Sequence, residues 1–209
     1  TSLDEETPTQ KDMSAATVTL KKAKTTYNGT TQNPEVTSVV LGTDTLVAGT
    51  DYEVEAVTAK KAGTYTVKVN GIGKYKGTAT AEYTIAKRNI AKATATVKAK
   101  TYTGKKLTSS SYSVKMKLNG KTTTLKKGTD YTVKAASRTS VGSSTVTITG
   151  KGNFQGTLKA KFAVTAKKIS ATKVTVSSKV AYTGKTVKAK VIVKDGKVKL
   201  NSKSYKVSY

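Results

Sequence analysis

The sequence predicts an all-β protein of tandem antiparallel β-sandwiches in a rod-like array, with β-grasp-like repeats as the runner-up. Three observations carry the prediction. The 209 residues hold 39 Thr, 36 Lys and 23 Val against 9 Leu, a composition that fits pleated, half-buried surfaces and disfavours helix. Apolar residues alternate with Thr or Lys with a period of two. Whole blocks of sequence recur at a fixed offset, the signature of tandem units.

The alternation marks the strands. Tyr65, Val67 and Val69 alternate with Thr66 and Lys68, and Ala79, Ala81, Tyr83 and Ile85 with Thr80, Glu82 and Thr84. Leu158, Ala160, Phe162 and Val164 repeat the pattern, and Tyr112, Val114, Met116 and Leu118 lead into an Asn119-Gly120 turn. Such runs place one apolar face inward, and Asn-Gly between them favours a tight hairpin. Six or seven short strands per unit, with no helical stretch longer than a turn, favour a sandwich; β-grasp would need a helix.

The repeat sets the organisation. Gly49-Thr50-Asp51-Tyr52 returns 79 residues later as Gly128-Thr129-Asp130-Tyr131, and Gly71-Ile72-Gly73-Lys74-Tyr75-Lys76-Gly77 as Gly150-Lys151-Gly152-Asn153-Phe154-Gln155-Gly156. Ile90 and Val97 match Ile169 and Val176. The expected division is a polar leader or linker over 1–15, repeats over 16–91 and 92–171, and an incomplete repeat over 172–209. The leader expectation rests on Asp4, Glu5, Glu6, Pro8 and Asp12. The connector Lys87–Ala93 has no flexible Gly or Ser run, so neighbouring units should touch. Starting at Thr1 with no apolar leader, the chain is expected to be a processed or excised piece, and no apolar run is long enough for a spanning helix.

The residue inventory narrows the chemistry. With no His and no Cys, thiolate or imidazole metal sites, Ser-His and Cys nucleophiles and disulfides are excluded. Neither a catalytic, a cofactor-binding nor a metal site is expected. Gly71, Gly73 and Gly77, like Gly150, Gly152 and Gly156, have G-x-G-x-x-x-G spacing between two strands; a dinucleotide loop needs G-x-G-x-x-G before a helix. Turn glycines are the expected reading. Asp51 and Asp130 give one carboxylate per unit, too few for calcium, and Asp in such a turn bonds nearby backbone N–H groups. Glu53 and Glu55 are replaced by Thr132 and Lys134 in the second copy, so no paired-carboxylate site repeats. Tyr27, Tyr102 and Tyr182 never change to Phe, which predicts that their hydroxyls find partners, with a sugar-stacking platform as the sharper alternative.

Charge is unevenly spread. Of the net +26, residues 1–89 contribute +1 and residues 90–209 contribute +25, the latter holding only Asp130 and Asp195 as acids. A one-sign region concentrates opposite charge around it. Lys outnumbers Arg 36 to 2, whereas base readout and phosphate forks favour Arg, so no specific nucleic-acid partner is expected.

The pattern Tyr-x-Gly, then Leu46 or Leu125 before Gly-Thr-Asp-Tyr, then Gly-x-x-Thr-Val-x-(Val/Ile)-x-Gly-x-Gly-x-(Tyr/Phe)-x-Gly-Thr, resembles tandem bacterial Ig-like repeats of Gram-positive secreted or cell-wall-attached proteins. The resemblance covers 16–171 and part of 172–209, where Asn201-Ser202-Lys203-Ser204-Tyr205 replaces Gly-Thr-Asp-Tyr. It implies an extracellular, non-catalytic spacer or adhesin segment of a larger surface protein. The alternative is a Lys-rich module for an anionic cell-wall polymer or acidic glycan. Residues 172–209 lack everything matching Gly142–Val164. Half a sandwich exposes an apolar face and strand edges, so this piece is expected to be either truncated or completed by strands from another chain.

Overall fold

A computed structural model describes residues 9–168, 173–177, 179 and 181–208. Leader residues 1–8 and the boundary residue Ile169 lie outside the described residues. The strands are β1 (Lys11–Asp12), β2 (Thr17–Leu20), β3 (Lys24–Thr26), β4 (Val36–Leu41), β5 (Asp44–Thr45), β6 (Tyr52–Val54), β7 (Gly63–Gly71), β8 (Tyr75–Lys76), β9 (Thr78–Ala86) and β10 (Arg88–Asn89). A second series follows: β11 (Thr94–Val97), β12 (Lys100–Thr101), β13 (Leu107–Thr108), β14 (Tyr112–Leu118), β15 (Lys121–Thr124), β16 (Tyr131–Lys134), β17 (Ser137–Arg138), β18 (Gly142–Gly150), β19 (Phe154–Gln155) and β20 (Thr157–Thr165). The last are β21 (Lys173–Val176), β22 (Val191–Asp195) and β23 (Val198–Lys199). Two single-turn 3₁₀ segments, Ile90–Lys92 and Ser202–Ser204, are the only helical elements among the described residues. The fold is all-β, as the composition and alternation predict.

The sheets repeat in kind. Orders β2-β4-β5 and β3-β9-β7-β6 are followed by β11-β14-β15 and β12-β20-β18-β16, then, among the described residues, by β21-β22-β23. Most pairings are antiparallel, but β3 runs parallel to β9 (Thr26 opposite Ala86) and β12 parallel to β20 (Thr101 opposite Thr165). These parallel edges were not legible in the sequence. Both follow from geometry: the first strand of each four-stranded sheet lies beside the last, which it meets only after a long excursion.

By packing, the chain forms two compact units. One takes the residues up to Thr96 together with Tyr112–Lys134 and Val146–Ala160; the other takes Val97–Ser111, Ala135–Thr145 and the residues from Lys161 onward. In the first unit, Val39 of β4 joins Tyr52 of β6, Val69 of β7 and Ala79 of β9 in one core cluster, so the three- and four-stranded sheets face each other as two layers. A second cluster holds Ala59, Val67, Tyr83 and Ile85. Thr66, Lys68, Thr80 and Glu82 are exposed, as the period of two requires. Asn119 and Gly120 both adopt positive φ (45° and 78°), the hairpin geometry their dipeptide predicts.

In the second unit, β13 pairs antiparallel with β17, and β21-β22-β23 forms a three-stranded meander. Although Val187, Ala189, Val191 and Val193 alternate, the strand begins only at Val191, and Ser202–Ser204 forms a 3₁₀ segment capped by Asn201, whose side chain accepts from the Lys203 amide (2.9 Å).

The residues between Gln10 and Met13, expected as leader, are packed into the first unit. Lys11 and Asp12 pair in parallel with Tyr75 and Lys76, and Met13 is fully buried in the core. The connector behaves likewise: Arg88 and Asn89 pair in parallel with Phe154 and Gln155, and Ile90 is fully buried.

Candidate functional site

The residues singled out by the repeat sort into turns, tips and rings. At the Gly-Thr-Asp-Tyr turn, Asp51 Oδ2 accepts from the Val47 amide (2.8 Å) and Asp130 Oδ2 from the Lys126 amide (2.7 Å). The backbone repeats the same bonds: Gly49 N–H donates to the Tyr52 carbonyl, and Gly128 N–H to that of Tyr131 (2.8 and 2.7 Å). Asp51 is buried, and the Val47 amide gives its carboxyl oxygen the partner that burial requires. Burial, and then the neighbouring Asp130, push the Tyr131 hydroxyl above its usual range, away from acid–base use near neutrality. Glu53 is exposed on the edge strand β6, and Glu55, exposed just beyond it, meets Lys68 at 3.7 Å. Among the described residues no three acidic side chains converge on a metal position.

The glycine runs form strand-to-strand tips. A Cβ on Gly71 would lie 2.8 Å from the Lys76 amide nitrogen, and one on Gly150 would lie 2.7 Å from that of Gln155. These glycines admit close backbone approach rather than a phosphate. Each tip is gripped by a preceding strand. At the first, the Lys11 and Met13 amides donate to the Lys74 and Lys76 carbonyls (both 2.9 Å). At the second, the Arg88 amide donates to the Asn153 carbonyl (2.9 Å) and the Ala62 amide to Asn153 Oδ1 (2.8 Å). Arg88 Nε reaches the Tyr27 carbonyl (2.6 Å), and the Tyr27 ring meets Phe154 edge-on, 5.5 Å between centroids at 81°, a favoured aromatic geometry.

The expectation for the tyrosine hydroxyls is corrected. Among the described residues the hydroxyls of Tyr27, Tyr102 and Tyr182 make no hydrogen bond, and Tyr182 is 91% exposed. Tyr27 and Tyr102 are fixed through their amides, which donate to the Ala86 and Thr165 carbonyls (both 2.9 Å). The bonded hydroxyls belong elsewhere: Tyr83 shares one with Thr25 (2.8 Å), and Tyr65 donates to the Lys61 carbonyl (2.8 Å).

The two gripping strands place an Asx side chain at the same position, a carboxylate in the first and an amide in the second. Asp12 Oδ1 accepts from the Ser14 hydroxyl and amide (2.6 and 2.8 Å), which hold its carboxyl below its ordinary value of 3.8. The equivalent acceptor in the second copy is the neutral Asn89 side chain, bonded to the Ala91 amide (2.9 Å). A depressed folded-state carboxyl contributes stability that is present above its ordinary value and lost as pH falls through the folded value. Acid below about pH 4 should therefore loosen the Lys11–Met13 anchor and leave the Arg88–Ile90 anchor unchanged. Methyl NMR of Met13 and Ile90 across an acid titration checks this; the two signals moving together would refute it.

In the second unit, a groove of about 550 Å³ is lined by Tyr102, Gly104, Val141, Lys167, Lys168 and Lys203 among others. Asp195 lies in it, ion-paired with Lys167. Both acids of the basic region are thus engaged, Asp130 by backbone and Asp195 by one lysine. The first part instead spends lysines on acids, pairing Lys11 with Asp44 (2.8 Å) and Lys21 with Glu35 (2.9 Å).

A family model, the MBG domain, matches residues 14–99, less than half of the chain. It describes a β-rich, non-catalytic domain type found in surface proteins. No curated protein and no solved structure matches the chain. Among the described residues no helix is long and apolar enough to cross a membrane.

Proposed function

We propose that this chain is a non-catalytic segment of a larger secreted or wall-attached surface protein, a run of Ig-like repeats over 16–91 and 92–171 with a partial one over 172–209, serving as spacer or adhesive stalk. One observation carries the reading: the side chains that recur between copies are spent on building the copies. Asp51 and Asp130 hold turns, Gly71 and Gly150 admit the tips, and Tyr52 and Tyr131 fill cores. The surface-protein domain matched at 14–99 supports it. The Gram-positive Ig-like assignment rests on the motif resemblance.

The test is location. Trypsin applied to intact source cells should release peptides of this chain while a cytosolic marker stays inside. Peptides recovered only after lysis would overturn the proposal.

A second reading has its own observation. Residues 90–209 carry 27 basic residues and two acids, and both acids are already engaged. Such a surface attracts an anionic wall polymer or acidic glycan, a partner for the stalk rather than a replacement for it.

A further inference from the structure

Load applied along the chain enters each repeat through its early strands and leaves through its last long strand. In the first repeat β3 and β9 lie side by side and run parallel, with Lys24 opposite Thr84, Thr25 opposite Ile85 and Thr26 opposite Ala86. The N-terminal end of one strand and the C-terminal end of its parallel neighbour lie at opposite ends of the ladder. Pulling Lys22 and Lys87 apart therefore slides β3 along β9 and strains every connecting bond at once. The antiparallel neighbours β7 and β9 behave differently. The start of β7 and the end of β9 meet at Gly63 and Ile85, so pulling there opens one bond at a time.

The parallel seam of the first repeat is reinforced beyond its own length. At one end the Thr84 amide donates to the Ala23 carbonyl, and at the other the Tyr27 amide donates to that of Ala86 (both 2.9 Å). Two side chains cross the seam as well. The Thr25 and Tyr83 hydroxyls share a hydrogen bond (2.8 Å), and Arg88 Nε donates to the Tyr27 carbonyl (2.6 Å). The second repeat keeps the seam without these side-chain ties. There β12 runs parallel to β20, with Lys100 opposite Val164 and Thr101 opposite Thr165, and the Tyr102 amide donates to the Thr165 carbonyl (2.9 Å). Phe162 stands in place of Tyr83 and has no hydroxyl, and Lys167 stands in place of Arg88 and is ion-paired with Asp195. Each seam lies within one of the two compact units.

We propose that the repeats carry tension, each locked by the shear seam between its parallel edge strand and its last strand, and that the seams are graded so that the second repeat yields before the first. This rests on the stalk reading, because only a chain anchored at one end and held at the other bears load. Opening the second seam frees the chain between Thr101 and Val164, about 200 Å when extended. That extension takes up a sudden pull while the first repeat stays folded.

The chain has no Cys, so handles for optical tweezers can be placed on the full chain by paired Cys substitution at exposed positions. Lys22→Cys with Lys87→Cys loads the first seam lengthwise, and Lys60→Cys with Lys87→Cys peels β7 from β9. Lys98→Cys with Ala166→Cys loads the second seam lengthwise. Forced opening reports the unfolding barrier, so the first seam should rupture at about twice the peeling force or more, with the second seam between them. Tyr83→Phe should lower the first seam towards the second and leave the peeling force unchanged. Equal force in the two directions on the first repeat would overturn the seam. A second seam as strong as the first, or a Tyr83→Phe chain as strong as its parent, would overturn the grading. These forces do not depend on where the chain resides, so the stalk reading fails separately, on the trypsin result.

Discussion

Tyr83→Ala should lower the stability of the first unit by about 3–5 kcal/mol, the range for truncating a fully buried aromatic side chain. Tyr83 is 2% exposed, sits with Val67 and Ile85 in one cluster, and shares a hydrogen bond with Thr25. Tyr83→Phe keeps the ring and loses only that bond, which costs about 1 kcal/mol. Tyr182→Ala, at a ring 91% exposed, should stay within about 0.5 kcal/mol of the parent. Urea titration with separate probes in each unit reads all three. Equal losses at Tyr83 and Tyr182 would contradict the assignment of the core.

Binding to an anionic wall polymer of the teichoic-acid type should depend on the basic region and fade with salt. Lys115, Lys117, Lys159 and Lys161 all point outward from their strands. Replacing these four by Gln in the full chain should weaken binding severalfold or more at low salt. The same replacement at Lys21, Lys22, Lys24 and Lys60, also exposed but in a region of net +1, should do much less. Raising salt from about 50 to 300 mM should cut affinity on the order of tenfold, because exposed charges are screened within about a nanometre. Equal effects from the two sets would refute the localisation. Binding indifferent to salt would refute the electrostatic mechanism.

Strand placement was legible because each strand carries its own evidence. Val67, Val69, Ala79 and Tyr83 announce a buried face by spacing alone, and Asn119-Gly120 announces its turn. Asp51 and Asp130 were legible for the same reason: their acceptors and donors lie within four residues. What failed was non-local. Gln10, Lys11 and Asp12 are polar and read as leader, yet the Gln10 side chain and the backbone of Lys11 and Asp12 engage a tip more than sixty residues away. A signal was present: Asp12-Met13-Ser14-Ala15-Ala16 and Asn89-Ile90-Ala91-Lys92-Ala93 share an Asx, a large apolar residue and a closing Ala. In both, the last amide closes on the apolar residue's carbonyl at 2.9 Å.

The tyrosine hydroxyls were misjudged because constancy of Tyr between copies was taken as evidence of a hydroxyl bond. Tyr27 is held by its own backbone and by a ring from the next copy, and neither contact distinguishes Tyr from Phe.

The central claim is that each copy's glycine-rich tip is clasped by the strand that precedes the copy, so that the repeats are built into one another and not strung on linkers. Amide hydrogen exchange of the intact chain tests this most directly, at Ala62 and Arg88. Their N–H groups donate only to Asn153, in the tip between β18 and β20. The account predicts that both exchange as slowly as the interior amides of β7. Exchange at the rate of an open loop at both positions would contradict it.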